Sequence, residues 1–144
     1  MKRIALLAAL LLAVVAFAAE LPPGTIQVDA TKLVWTDGPA ALPKSKSVVL
    51  EGDPKTTGIF TMRLRVPAGT RVPPHWHPRP ERVTVLSGLV QVGFGDKWDD
   101  RALRSFHAGD FYVNPANSHH FVKFAEESVV QITGEGPWEL HALE

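Results

Sequence analysis

The stretch that decides the fold is Gly69–Gly88, which reads GTRVPPHWHPRPERVTVLSG. It holds two histidines separated by one residue, His75 and His77, and then a carboxylate at Glu81. Residues two apart in an extended chain point to the same side, so both imidazoles face one point while Trp76 faces away. The four prolines of the stretch remove backbone donors and restrict the residues before them, which excludes a helix. The stretch therefore predicts an extended segment that carries a metal site.

The donor atoms of this candidate site indicate the class of ion. Neutral imidazole together with carboxylate suits divalent transition metals, whereas an all-oxygen set would favour Ca²⁺ or Mg²⁺. We expect one divalent transition metal, Mn, Fe, Ni, Cu or Zn, and a further ligand from elsewhere in the chain. The competing interpretation is structural: packed histidines, and Glu81 as a surface carboxylate paired with Arg79 or Arg82. Two imidazoles on one face beside a carboxylate favour the metal site.

A second informative stretch, Gly109–Phe124, reads GDFYVNPANSHHFVKF. It carries two adjacent histidines, His119 and His120, and neighbouring residues of one strand face opposite sides. Only one of the two can therefore join His75 and His77.

The two stretches together resemble the paired motifs of the cupin superfamily. The first cupin motif is Gly, five residues, His-x-His, three or four residues, Glu, six residues and Gly, and the chain matches it from Gly69 to Gly88 without a gap. The second motif is matched at Gly109, Pro115 and His120, but Asn117 stands for a glycine and Phe124 for an asparagine. Asparagine tolerates a left-handed turn better than other non-glycine residues, so the first departure is mild.

The resemblance implies the ligand set and the architecture. Four residues are implied as metal ligands: His75, His77, Glu81 and His120. His119 is then left on the outer face or at an interface. The implied fold is all-β, a cupin double-stranded β-helix (jelly-roll) barrel with the metal inside. Related cupins are often homodimers in which an N-terminal strand crosses between subunits, and Lys32–Trp35 is a candidate for that strand.

The N-terminus has the pattern of a Sec-type signal peptide. Lys2 and Arg3 precede an apolar run, Ile4–Ala18, which is short for a membrane span and ends in the small-x-small pattern Ala16-Phe17-Ala18. We expect residues 1–18 to be the signal peptide and residues 19–144 a single cupin domain. The location is then secreted or periplasmic, and the absence of cysteine excludes a lipoprotein anchor.

Charge excludes several classes of partner. Lys2 and Arg3 are the only charged residues within 1–18, so residues 19–144 carry 13 basic and 15 acidic side chains. They contain no basic cluster or basic amphipathic helix, so we expect no nucleic-acid partner and no membrane partner after signal cleavage. The expected partners are a small-molecule ligand or substrate and a second copy of the chain.

Short apolar runs separated by Gly, Pro and Asx turns predict an all-β sandwich or barrel. The candidate strands are Leu33–Trp35, Ser47–Glu51, Ile59–Val66, Glu81–Ser87, Leu89–Phe94, Arg101–Phe106, Asp110–Val113, His119–Phe124 and Ser128–Thr133. If Glu81 faces inward, alternation places Val83 and Val85 inward, and His120 takes Val122 and Phe124 with it. The cavity wall is thus expected to be mostly apolar.

The strand Ile59–Val66 leaves two orientations open. If its apolar set, Phe60, Met62 and Leu64, faces inward, Arg63 and Arg65 are solvated. In the reverse orientation Arg63 could hold an anionic substrate. We favour the first.

The function implied by the resemblance is metal chemistry on a small molecule. Three histidines and one glutamate leave open positions on a five- or six-coordinate ion, and cupins with these ligands include metal-dependent dioxygenases, oxidases and isomerases. We expect a metal-dependent dioxygenase or oxidoreductase that acts on a small oxygenated molecule. The alternative is a non-catalytic cupin that senses or sequesters a small molecule or a metal. No residue stands at a spacing that identifies a general base, and the acidic cluster of Asp96, Asp99 and Asp100 is expected to be a solvated loop.

Overall fold

The computed structural model describes residues 20–143, so the predicted signal peptide, residues 1–18, lies outside the described residues. The strands are β1 Thr36–Asp37, β2 Lys46–Glu51, β3 Gly58–Val66, β4 Arg71–Trp76, β5 Glu81–Ser87, β6 Leu89–Phe94, β7 Arg104–His107, β8 Phe111–Asn114, β9 His120–Phe124, β10 Ser128–Gly136 and β11 His141–Ala142. Two single-turn 3₁₀ helices, Ala30–Lys32 and Asp100–Ala102, complete the regular structure of this range. No helix within residues 20–143 is long and apolar enough to cross a membrane.

The strands form two antiparallel sheets. The larger sheet has the order β1-β2-β3-β10-β5-β8 and the smaller one β11-β4-β9-β6-β7. Each sheet turns one apolar face inward, and burial of these faces is the main favourable term for folding. The core consists of Leu42, Phe60, Met62, Leu64, Val66, Val72, Val83, Val85, Val90, Val92, Val122, Phe124, Val130 and Ile132. The architecture is that of a jelly roll, as expected from the sequence.

Within residues 20–143 the longest strand pairing is that of β3 with β10, and the burial of the β3 side chains settles the orientation of this strand. Phe60, Met62 and Leu64 are 0%, 3% and 2% exposed, so the apolar set faces inward. Arg63 lies on the outer face, where its Nε donates to Gln131 Oε1 at 3.1 Å. Arg63 is half-buried and Arg65 exposed, so both arginines lie on the outer face as favoured from the sequence, and an anion site at Arg63 inside the barrel is excluded.

Two turns explain the residues found at one non-ligand position in each motif, Gly88 in the first and Asn117 in the second. Gly88 joins β5 to β6 with a φ of +81°, and a Cβ there would lie 2.3 Å from the Glu127 carbonyl oxygen, so only glycine fits. Asn117 has a φ of +58°, which agrees with the left-handed turn expected from the sequence. Its backbone N–H donates to the carbonyl of His77 at 2.8 Å, and this bond ties the second motif to the first.

The structure differs from the expected strands at the N-terminal side. Leu33–Trp35 is not a strand: Val34 is 79% exposed, and pairing begins one residue later, where Thr36 lies opposite Ser47. The predicted strand Arg101–Phe106 starts only at Arg104, because Asp99 caps the 3₁₀ turn before it by accepting from the Arg101 backbone N–H.

The strand β4 was not among the strands expected from the sequence. Pro73 and Pro74 argue against a paired strand because proline donates no ladder hydrogen bond. The register with β9 shifts between Val72 and His75, so the two prolines occupy the irregular part of the pairing. The strand resumes at His75, which lies opposite His120.

Candidate metal centre

Three histidines meet inside the barrel. His75 is on β4, His77 follows directly after it, and His120 begins β9, the neighbouring strand. They are 4%, 2% and 0% exposed, and one ring nitrogen of each lies within 4.8 Å of the others. The bulge at the prolines leaves His75 and His120 as direct cross-strand partners, which brings both motifs to one point.

Each imidazole is oriented by a backbone carbonyl. The Nδ1–H of His75 donates to the Pro73 carbonyl at 2.7 Å and that of His120 to the Ser118 carbonyl at 2.9 Å. The Nδ1–H of His77 donates to the carbonyl of Glu139 at 2.6 Å. Since a carbonyl only accepts, each Nδ1 carries a proton, and in the neutral form of each ring Nε2 then keeps its lone pair.

The free ring nitrogens test whether a metal fits. The Nε2 atoms of His77 and His120 are buried and have no hydrogen-bond partner among residues 20–143. A buried polar atom without a partner is costly, and three neutral imidazoles with converging lone pairs are typical ligands for a transition metal. The residues present therefore fit such an ion.

The electrostatics favour the neutral form of His75 and of His120. The pKa of His75 is lowered from 6.5 to about 4, mainly by burial and to a smaller extent by the neighbouring His120. Burial also lowers the pKa of His120. Because metal ligation requires the deprotonated imidazole, both residues are in the binding form at neutral pH.

Glu81 lies beside the histidines at the start of β5. Its Oε2 is 3.5 Å from the Nε2 of His77, and the residue is 7% exposed. Asn114 Nδ2 donates to Oε2 at 2.9 Å and Trp138 Nε1 donates to Oε1 at 3.0 Å. The alternative of a surface ion pair is wrong for Arg79, whose guanidinium contacts Glu135 at 3.0 Å instead. Glu81 as the fourth ligand stays a prediction.

A small apolar cavity of about 40 Å³ adjoins the cluster. It is lined by Leu42, Leu64, Val72, His75, His77, Glu81, Val83, Tyr112, Val122, Phe124, Val130, Ile132, Trp138 and Leu140. The inward positions of Val83, Val122 and Phe124 confirm the alternation expected from the sequence. The polar side-chain groups among these residues are the two imidazoles, Glu81, the Tyr112 phenol and the Trp138 indole N–H. Burial and the charge of Glu81 raise the pKa of Tyr112 far above its usual range, so the phenol stays a hydrogen-bond donor.

Several site residues were missed from the sequence. Tyr112 and Asn114 alternate on β8 and pair with Val83 and Glu81, so alternation from Glu81 could have identified them. Trp138 is partly buried and packs against the core of its own barrel. Nothing in the local sequence places its indole against Glu81.

The remaining histidines lie outside the cluster. His119 is on the surface, where its Nδ1 lies 2.7 Å from Asp96 Oδ1 and 37% of its side chain is exposed. His107 is exposed near Asp110, and His141 stacks on Trp76 with ring centroids 4.2 Å apart. The two histidines of the second motif thus face opposite sides, as adjacent strand residues must.

Comparison with known proteins agrees with this architecture. Residues 23–139 match the family model described as the ChrR Cupin-like domain. A germin-like protein of Arabidopsis thaliana, subfamily 1 member 1, is 38% identical over 68 residues, 46% of this chain and 31% of that protein. The chain thus spans less than a third of that curated relative.

Two solved structures show the same fold at low identity. An acetylacetone dioxygenase from Acinetobacter johnsonii superposes with a TM-score of 0.62 at 17% identity, over 88% of this chain and 82% of that one. The polyketide cyclase RemF from Streptomyces resistomycificus gives a TM-score of 0.63 at 15% identity, over 83% and 86% of the two chains. From the family model, which covers most of the chain, and from the shared barrel, the chain belongs to the cupin superfamily, in the family of ChrR cupin-like domains.

Proposed function

We propose that the protein binds one divalent transition metal through His75, His77, His120 and Glu81 and uses it to oxidise a small oxygenated molecule with dioxygen. The observation that carries the proposal is the set of converging, buried Nε2 atoms, two of which have no other partner within residues 20–143. The name of the Acinetobacter neighbour supports a dioxygenase. The cyclase neighbour has the same barrel, so the reaction itself rests on the site and not on the fold.

The metal, when bound, supplies a Lewis acid and open positions for substrate and dioxygen. The residues of this chain supply the rest. Carbonyl contacts at each Nδ1 orient the three imidazoles, and the apolar wall excludes bulk water. Among the residues that line the cavity, Tyr112 carries the one hydroxyl group, and we assign to it the role of donating a hydrogen bond to a substrate oxygen. A small substrate with an apolar body and an oxygen-rich end suits this distribution.

The first experiment is elemental analysis of the purified protein after stripping and reloading with Mn, Fe, Ni, Cu or Zn. We expect about one ion per chain in the wild type. His75→Ala and Glu81→Ala should lose the ion on dialysis, because the ligands that remain still bind it measurably but too weakly to retain it. His107→Ala is the matched control, since His107 is exposed and remote from the cluster, and it should retain the ion. No bound ion under any loading would overturn the proposal.

The reaction is tested by oxygen uptake with each loaded form. Acetylacetone is the first substrate to try, because it is the compound in the name of the Acinetobacter neighbour. Uptake of one dioxygen per substrate consumed, without release of hydrogen peroxide, supports a dioxygenase, whereas an oxidase would release one hydrogen peroxide for each dioxygen. A spectral change of the bound metal on adding small diketones or hydroxy acids, without oxygen uptake, would favour the non-catalytic alternative.

Because affinity follows the order Mn < Fe < Ni < Cu > Zn, Zn or Cu in purified protein would not identify the functional ion.

Export and assembly are also proposals. We propose that the chain is exported and cleaved after Ala18, so the secreted protein should begin at Ala19; a retained Met1 in the exported fraction would contradict this. We propose a homodimer as well. Light scattering that gives the mass of a single mature chain would reject the dimer.

A further inference from the structure

The C-terminal segment Trp138–Leu140 contacts the candidate metal centre although it belongs to neither histidine motif. Trp138 Nε1 donates to Glu81 Oε1 at 3.0 Å, and its indole stacks on the His77 ring at 5.7 Å between centroids and 19° between planes. The carbonyl of the next residue, Glu139, accepts from His77 Nδ1. Leu140 lines the cavity. One short segment therefore contacts two of the four residues proposed as ligands.

The segment is held in place from both sides. The backbone N–H of Trp138 donates to the Pro54 carbonyl at 2.7 Å. After Leu140 the chain pairs with β4, where His141 lies opposite Trp76. These contacts fix the position of the indole before any ligand arrives, which is what a positioning group requires.

The hydrogen bonds at Glu81 leave it able to bind a metal. A carboxylate has two oxygens with about four lone-pair sites, and one donor meets each oxygen here, Trp138 on Oε1 and Asn114 on Oε2. Both oxygens keep a free lone pair, while the two donors fix the plane of the group. Without the indole N–H the Glu81 carboxylate could rotate away from His77. Fixing it again when a metal binds would then cost side-chain conformational entropy.

We propose that Trp138 is a positioning residue of the metal centre, which acts by holding the Glu81 carboxylate in the orientation that binds the ion. This inference rests on the proposed metal-binding function and adds to it a residue from outside both motifs. Partners of this kind typically contribute about 10- to 100-fold to metal affinity.

The test is Trp138→Phe, which keeps an aromatic ring against His77 and removes the N–H. Trp98→Phe is the matched control, since Trp98 is also half-buried and its Nε1 donates to Asp100 Oδ1 at 3.2 Å, away from the site. The dissociation constant for Zn²⁺, measured by competition with a chelator, should rise about 10- to 100-fold in Trp138→Phe and remain at the wild-type value in Trp98→Phe. An unchanged constant in Trp138→Phe would overturn the proposal.

A double-mutant cycle separates positioning from general packing. If Trp138 acts through Glu81, Trp138→Phe should cause no further loss of Zn²⁺ affinity in a Glu81→Ala background. An equal loss in both backgrounds would assign the effect to packing on His77 and refute the proposal. If the wild type binds no Zn²⁺ at all, the proposed metal-binding function itself is refuted. This outcome differs from a failure of the Trp138 proposal, in which the wild type binds Zn²⁺ and Trp138→Phe binds it equally well.

A second measurement leaves Trp138 in place and covers the case in which Trp138→Phe does not fold. In the metal-free protein the indole N–H of Trp138 should exchange with solvent slowly and become faster in Glu81→Ala, while the Trp98 indole is unaffected. Equal exchange of the Trp138 indole in wild type and Glu81→Ala would show that the hydrogen bond is not formed, and the proposal would fall.

Discussion

Replacing Gly93 by alanine is expected to destabilise the barrel through a clash on the outer face of the smaller sheet. Gly93 on β6 lies opposite Phe121 on β9, and a Cβ at position 93 would lie 2.3 Å from both Cε2 and Cζ of the Phe121 ring. That ring is 0% exposed because Trp98 covers it, with centroids 5.0 Å apart. The ring therefore has little room to move away from an added methyl group.

Overpacking of this kind typically costs about 1–3 kcal/mol. At about 4 °C per kcal/mol for a domain of this size, the melting temperature should fall by roughly 4–12 °C. Gly93 does not adopt a positive φ, so the cost comes from the contact with Phe121 and not from backbone strain. The loss should therefore depend on the presence of the phenylalanine ring.

Urea unfolding of Gly93→Ala, Phe121→Leu and the double variant tests this reasoning. Leucine lacks the Cε2 and Cζ atoms, so Gly93→Ala should cost markedly less in the Phe121→Leu background than in the wild type. A coupling free energy of about 1 kcal/mol or more is expected for two side chains in such contact. Strictly additive losses would refute the assignment of the clash to Phe121. Wild-type stability in Gly93→Ala would show that the ring adapts freely.

Two further predictions concern the histidines. The metal-free protein should lose stability as the pH falls from 6.5 towards 4. Over this range His75 takes up a proton in the unfolded chain but stays neutral in the folded protein, where its pKa is lowered to about 4. Urea midpoints that stay constant over this range would contradict the prediction. His120→Ala should abolish metal binding in elemental analysis, whereas His119→Ala should bind normally because its ring lies at the surface beside Asp96. Full occupancy in His120→Ala would overturn the ligand assignment.

The candidate site was predictable where spacing alone places side chains. His75 and His77 share a face because they are two residues apart in an extended chain, and His120 was selected by the spacing of the second motif. Alternation also separated Phe60, Met62 and Leu64 from the two arginines of that strand, and the favoured orientation, with the apolar set inward, is confirmed by burial. Prediction failed where one local signal overrode another. β4 was not predicted as a strand because it contains two prolines. A strand was predicted from Arg101, where the chain instead forms a 3₁₀ turn capped by Asp99.

By itself the sequence determined the all-β class, the sets of side chains that share a face of each strand and the histidines that meet, because strand periodicity and motif spacing are local properties. The tertiary structure alone decided what surrounds the site. Trp138 is 57 residues from Glu81 in the chain, and their contact depends on how the C-terminal segment docks across the barrel. Contacts between distant segments carry no periodic signal, since they arise from packing of whole sheets against each other.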